Sequence, residues 1–427
     1  MDLTRSNAEQ LSRHNLVTLT TDVTFFALGS AFIDANAVLP LLFQGLGASG
    51  TLIGFFSAVR MLGFNLPQIF IAGYAHRQPC KKPLLMQAAT LTRIPLMLIP
   101  LLMMQSVHGN TFRLAALWGI ALILTIWGCG DGLGYVSWVE IVANSFTDTV
   151  RGRFFALTQI LSGIITLLVG AIIVERTLKY IPFPSDFAVL GALAAVCFFI
   201  SLFGLYMVKE PPVHAHQENT ASEPIALRAL PALVRSNPVF LRLAAIQVLA
   251  GGGAMAAPFY VLYATRHFHL SDAWGGIYQA MHALGLITLM PLWTRLGERR
   301  GQNRAVAAIA LGCCLSPMLA FTLGTTSPWV FGVCFYFMGG TLDWGLWIVL
   351  NHYLLSHVSD SERPAYVSVF SLLNVPTALF PFLGGLLILH HHFLSVASIP
   401  LLFPVTLLFT GAAFVLSMRL PTPALAS

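Results

Sequence analysis

The sequence predicts an all-α polytopic membrane protein, with twelve transmembrane helices in two pseudo-symmetric six-helix bundles. Three observations carry this. The chain is 56% hydrophobic and 9% charged, with a mean hydropathy of +0.77. Ordinary soluble domains hold about 25% charged residues, so these charges are too few to cover a water-facing surface, and lipid must be the solvent for most of the chain. The apolar residues fall in long stretches rather than short alternating ones, which selects helices over a barrel. The two halves also repeat each other.

The repeat is specific. Asp131 lies in a glycine-rich apolar stretch twenty residues before Arg151, and Asp343 lies in a second such stretch twenty residues before Arg363. The offset is the same for both, 343 − 131 and 363 − 151, or 212 residues in a chain of 427. A membrane-embedded carboxylate is costly, so one at matching places in each half points to a paired functional design.

Apolar segments can be drawn at 17–44, 50–74, 83–106, 114–142, 154–175 and 186–208, then 240–265, 273–296, 305–324, 328–357, 366–389 and 397–418. Each is near the roughly 20 residues that span the hydrocarbon core. This divides the chain into an N-terminal bundle (1–208), a polar cytoplasmic linker (209–238) and a C-terminal bundle (239–427). The polar start, Met1–Asn15, lacks the pattern of a cleavable signal, so the first helix is expected to be retained. With the N-terminus in the cytoplasm, seventeen of the 23 Lys and Arg fall on the inner side. Four (Arg113, Arg176, Lys179 and Arg266) fall outside, and Arg60 and Arg93 lie within spans. That bias predicts both termini inside. The net charge of +6 is scattered over short loops, which argues against nucleic-acid binding. Five of the six cysteines lie in predicted spans without paired spacing, so neither disulfides nor zinc is expected.

Glycine and proline interrupt the segments. Gly251-Gly252-Gly253 and Pro258 break the seventh, and Gly128, Gly130, Gly132 and Gly134 run through the fourth. Such positions serve either wet, irregular backbone or close helix packing.

Between the eighth and ninth segments the chain reads Arg295-Leu-Gly-Glu298-Arg299-Arg-Gly301-Gln-Asn-Arg304. This resembles the loop motif of the major facilitator superfamily, commonly Gly-x-Leu-Ala-Asp-Arg-x-Gly-Arg-Lys. Leu296, Arg299 and Gly301 match, Glu298 stands in for the aspartate, and Thr294 replaces the leading glycine. The corresponding first-half loop, Tyr74 to Lys82, keeps Arg77, Lys81 and Lys82 but has His76 and Pro79 where the acid and glycine belong. The resemblance implies two bundles around a central cavity lined by segments one, four, seven and ten, opening to each side in turn. It also implies cytoplasmic charge pairs that latch one state. Arg77 would pair with Glu140, and Arg299 with Glu298. Lys81, Arg151, Arg153, Gly301, Arg304 and Arg363 complete this gating set, with plain positive-inside charge as the alternative.

Asp34, Asp131 and Asp343 are then cavity acids. Burial disfavours the charged form of a carboxylate, so such groups can take up a proton on one side and release it on the other, or partner a cation. The alternative is structural pairing with Arg60 or Arg93, which are in turn divided between pairing and binding an anionic substrate group. Gln247, Tyr260, Trp138, Trp344, Trp347 and Asn351 are candidate cavity-lining residues, with packing as the alternative. The His390-His391-His392 triple carries no accompanying acid, and His282 stands alone in its segment, so neither is expected to bind metal or carry protons.

The function expected is secondary active transport of a small molecule by alternating access, as a proton-coupled symporter or antiporter, with export preferred. Two drug-antiporter features weigh against export: the fourth segment has Leu124 where such proteins carry an arginine, and Pro381-Phe-Leu-Gly384-Gly385 is only a partial Gly-Pro-x-x-Gly-Gly, in the other half. Alternatives are an uncoupled facilitator, an importer of nutrients or organic anions, or a transporter-like receptor or assembly factor. No enzyme activity, cofactor, metal or nucleic-acid partner is expected, and no nucleotide-binding loop is present. The expected setting is a bacterial inner membrane, with the protein as a monomer whose partners are substrate, protons and lipid.

Overall fold

The computed structural model describes residues 2–78, 80–210, 237–343, 345–358, 366, 370, 372–389 and 399–421. Among the described residues its regular elements are all helices. In chain order the elements are α1 (Asp2–Phe32), α2 (Val38–Gly45), α3 (Gly50–Arg77), α4 (Lys82–Leu96), α5 (Ile99–Gln105), α6 (Asn110–Ser145), α7 (Asp148–Leu168), a π-helical turn (Val169–Val174), α8 (Glu175–Tyr180) and α9 (Ser185–Met207). After the linker come α10 (Pro238–Gly251), α11 (Ala257–His267), α12 (Trp274–Arg300), α13 (Gln302–Leu323) and α14 (Pro328–Phe337). A second π-helical turn (Met338–Asp343), α15 (Gly345–Leu355), α16 (Asn374–Thr377), α17 (Phe380–Leu389) and α18 (Leu402–Ser417) complete the chain.

Among the described residues, nine helices are long and apolar enough to cross a membrane. The described parts of the other three predicted segments are largely helical but fall short of that standard. The first is broken after Phe32, and its N-terminal part is polar. The eighth is α12, a 27-residue helix that ends in Glu298, Arg299 and Arg300. The eleventh contributes a shorter apolar run over Asn374–Ile388.

The chain divides into two compact units. One holds Met1–Asp34, Gly45–Gly47 and Val59–Ala221; the other holds Ala35–Gln44, Ala48–Ala58 and Ser222–Ser427. In the first unit α1 packs on α7 and α9, and α4 on α6 and α9. In the second, α18 packs on α10 and α13, and α12 packs on α13, α14 and the second π turn.

Local sequence explains the punctuation. Asn237 caps α10, its side-chain oxygen accepting from the backbone N–H of Val239 at 3.0 Å and Phe240 at 3.2 Å, with Pro238 at the first helical position. Ser327 caps α14 in the same way. The triple glycine ends α10, and α11 restarts at Ala257 with Pro258 in its first turn. Gly301, at φ 95°, separates α12 from α13. That backbone conformation strains residues other than glycine, which explains why the loop motif needs glycine there.

The glycines of α6 serve close packing. A side chain at Gly128 would lie 2.7 Å from the Arg60 carbonyl oxygen, and one at Gly132 would collide with the Phe64 carbonyl, both on α3. One at Gly130 would collide with Thr92 of α4. The stripe therefore lets α3 and α4 approach α6 closely. Replacing Gly132 with valine is expected to cost about 1–3 kcal/mol through overpacking, read as a lower melting temperature of the purified protein. Gly411→Ala, inside α18 where an added carbon meets nothing within 4 Å, should not lower the melting temperature and should raise it slightly.

Candidate functional site

The close packing of the first unit brings ionisable side chains together in its interior. Asp22 of α1 is 3% exposed and Arg93 of α4 is 6% exposed. Arg93 Nη2 donates to Asp22 Oδ1 at 3.2 Å. Ser201 Oγ of α9 donates to the same carboxylate oxygen at 2.6 Å, and Trp138 Nε1 of α6 donates to Oδ2 at 3.2 Å. Four helices thus meet on one carboxylate. A buried ion pair holds only when further hydrogen bonds satisfy its remaining lone pairs, and Ser201 and Trp138 provide them.

Asp131 sits beside this pair. Arg93, Asp22 and Arg60 all act on it electrostatically, and among the described residues no side chain donates a hydrogen bond to it. The Arg60 guanidinium lies 5.9 Å from the centre of the Trp127 ring. The Arg93 guanidinium lies 5.6 Å from the Phe26 ring, which in turn packs against Trp127 and Phe198. Tyr135 stacks on Trp138. The cluster therefore contains two cations, two acids and an aromatic wall.

In the second unit, Asp343 ends the second π turn, and its Oδ2 is 2.7 Å from His282 Nε2 on α12. The close approach again depends on small residues: a side chain at Gly339 would collide with the His282 carbonyl. His282, which reads as a packing residue in the sequence, is thus the partner of Asp343. Asn351 donates to the Trp347 carbonyl at 2.7 Å, and Trp347 is exposed. Gln247 Nε2 donates to Asn374 Oδ1 at 2.7 Å. Tyr260 is buried among Phe331, Phe335 and Phe403. Asp34 lies in the break between α1 and α2 rather than within a continuous helix.

The loop after α3 forms a third polar cluster, within the first unit. Lys81 Nζ lies 3.1 Å from Glu140 Oε2 of α6. The Glu210 carboxylate accepts from the backbone N–H of Lys81 at 2.6 Å and Lys82 at 3.0 Å, and so caps α4 from a remote point of the chain. Asn15 accepts from Lys209 N and donates to Lys209 O and to Ser145 Oγ. Glu140, expected opposite Arg77, thus has a partner in Lys81 of the same loop. Glu298 and Arg299 are exposed at the end of α12, and among the described residues they form no ion pair. Arg151 is half-buried, while Arg153 and Arg304 are exposed. The Arg77 side chain, Trp344, Arg363 and His390–His392 lie outside the described residues.

Asp22 is a fourth embedded acid, beyond the three that the sequence singled out, and it takes three side-chain hydrogen bonds. Its signal was present, since Asp22 falls inside the 17–44 segment. Ser201 and Glu210 gave none: one is a single hydroxyl in an apolar helix, the other the first acid after it.

Membrane-length helices in two units, with buried acids and cations inside, define a polytopic carrier. The chain belongs to the Major Facilitator Superfamily, whose family model matches residues 23–381. It is a membrane transporter of that superfamily. Its fold is similar to that of the nucleoside transporter NupG, solved as a point mutant, with a TM-score of 0.72 and 12% identity over 96% of this chain and 99% of that one. It is also similar to a bacterial homologue of the iron transporter ferroportin in an inward-facing state (TM-score 0.70, 12% identity, 96% and 98% covered). A third similar structure is the peptide transporter POT in complex with sulfate (TM-score 0.66, 16% identity, 97% of both chains). No curated protein matches it significantly in sequence.

Removing one partner of the buried pair should be costly. Asp22→Asn leaves Arg93 without its counter-ion and is expected to destabilise by about 3–5 kcal/mol. Adding Arg93→Gln to it should recover a large part of that loss. A double-mutant cycle on thermal unfolding checks this, and additive losses would show that the pair is not coupled.

Proposed function

We propose that this transporter is proton-coupled and that Asp131 is the group that carries the proton. The observation behind this is the contrast between two neighbouring acids. Asp22 accepts hydrogen bonds from Arg93, Ser201 and Trp138, each of which favours its ionised form. Asp131 has nearby charges but no such donors. Of the two, Asp131 gains more from protonation and loses less by it. The fixed pair beside it keeps the local field constant while Asp131 changes state. Asp343 with His282 is a second titratable pair, in the other unit, and we assign it a supporting role in the same cycle. Substrate then crosses by alternating access between the two units. The 17-to-4 bias of basic residues supports placing both termini in the cytoplasm.

Reconstituted vesicles test this. A pH gradient should accelerate solute flux in the wild type. Asp131→Asn should lose that stimulation, by about tenfold or more, while still exchanging solute down the solute's own gradient. Gradient-stimulated flux that persists in Asp131→Asn would overturn the assignment. With Asp343→Asn, gradient-driven flux should fall less than with Asp131→Asn.

A further inference from the structure

The first unit contains buried donors with nothing to donate to. Arg93 uses Nη2 on Asp22, but its Nε and Nη1 are buried without a hydrogen-bond partner among the described residues. So is the indole Nε1 of Trp127, a residue 6% exposed. Ser30 Oγ and Ser137 Oγ complete the set for this unit. Every one of these groups can donate, and none is an obligate acceptor. An unmade bond of a buried donor is expensive, and more so for a charged one. Native interiors leave few such groups, and those they leave ask for a reason.

Arg93 and Trp127 share one aromatic neighbourhood. Arg93 lies on one side of the Phe26 ring, and that ring packs against Trp127 with centroids 6.4 Å apart. Phe198 touches both Phe26 and Trp127 at 5.5 Å. Arg60 lies beside the Trp127 ring. The missing partner therefore has at least two acceptor atoms for a guanidinium and an apolar body that suits Phe26, Trp127 and Phe198. A carboxylate matches the planar fork of arginine, which a point acceptor does not.

We infer that Arg93 and Trp127 form a recognition site for the carboxylate of a small organic acid with an apolar or aromatic body, filled together with a proton on Asp131. The inference rests on the proton-coupled role of Asp131 proposed above. Charge explains the linkage. Arg60 and Arg93 are offset by Asp22 and Asp131 while both acids are ionised. Once Asp131 is protonated the cluster carries one surplus positive charge, and an incoming carboxylate cancels it. The charged and titratable groups around Asp131 are Arg60 from α3, Arg93 from α4 and Asp22 from α1, with Cys129 and Tyr135 on its own helix, while α9 brings the Ser201 hydroxyl. The orphan donors are closed to water here, so the acid reaches them only when the enclosing side chains part. Proton and anion then move in the same direction. Under an inward proton gradient this is uptake, the reverse of the export direction the sequence favoured.

The test uses purified full-length protein and thermal-shift titration. The probes are aryl monocarboxylates, from benzoate to indole-3-acetate, each paired with its primary amide. At about pH 5.5 the acids should stabilise the protein and the amides should not, and at about pH 8 apparent affinity for the acids should fall about tenfold. Asp131→Asn mimics the protonated state, so it should bind the acids at the higher pH as the wild type does at the lower one, with no pH dependence. Arg93→Lys keeps the charge that Asp22 needs but loses the fork, and should weaken binding about tenfold or more. Trp127→Phe leaves the ion pair untouched and should weaken binding severalfold. Amides binding as well as acids would overturn the anion site, whatever the flux assay gives. Acid binding untouched by both Arg93→Lys and Trp127→Phe would overturn it as well. Acid binding that needs Arg93 but is the same at both pH values would overturn the proton linkage, and with it the coupling role of Asp131.

Discussion

The Asp22–Arg93 pair is the constraint around which the first unit is organised. Two ions removed from water lose several kcal/mol of solvation each, and lipid offers nothing in exchange. The chain meets that cost with geometry. Ser201 and Trp138 complete the carboxylate, and they come from helices far apart in sequence. Holding those donors within hydrogen-bond distance fixes how α1, α4, α6 and α9 sit on one another. The α6 glycines then follow as a requirement. Only without side chains at Gly128, Gly130 and Gly132 can α3 and α4 come close enough for Arg60 and Arg93 to act on Asp131.

The second unit solves a related problem differently. Asp131 and Asp343 occupy matching places in the repeat, yet one stands among two arginines and an aspartate and the other faces a histidine. The position of the acid is shared between the halves and its surroundings are not. A permanent cation beside an acid sets a fixed field, whereas a histidine can itself gain or lose a proton near neutrality. The two units therefore surround the matched acid with different electrostatics. The basic loops diverge in the same way. Gly301 alone turns the chain between α12 and α13, while the first-half loop is tied down by Glu210 and Glu140.

Much of the fold was legible because lipid simplifies the code. Long apolar runs give helices, and the Gly251–Gly253 run ends one, whereas the spaced glycines of α6 leave the helix continuous and serve packing. The site was legible where a single residue betrayed itself: Asp131, Asp343, Arg60 and Arg93 stand out from apolar neighbours. The pairing of such residues across helices was not legible. Nothing in the spacing of Asp22, Arg93, Trp138 and Ser201 announces that they meet, since the contacts span up to 179 residues. His282 was passed over for the same reason, its partner lying 61 residues away. The break at Ile33–Ala37, inside one predicted segment, was hidden because its flanks are apolar on both sides.

A fixed ion pair beside a titratable acid also explains how one proton can matter in so small a volume. In water, a single charge change at contact distance is worth about 1 kcal/mol, and in a partly buried setting about four times that. That is enough to shift the population of two conformations by a factor of about five to several hundred. A site built only of permanent charges has no variable to move, and an isolated acid would settle as neutral and stay there. The pair supplies a field that Asp131 either cancels or leaves exposed, so its protonation state is felt by Arg60, Arg93 and the rings between them. In the proposed cycle, Asp22 and Arg93 together act as the reference against which one movable proton is read.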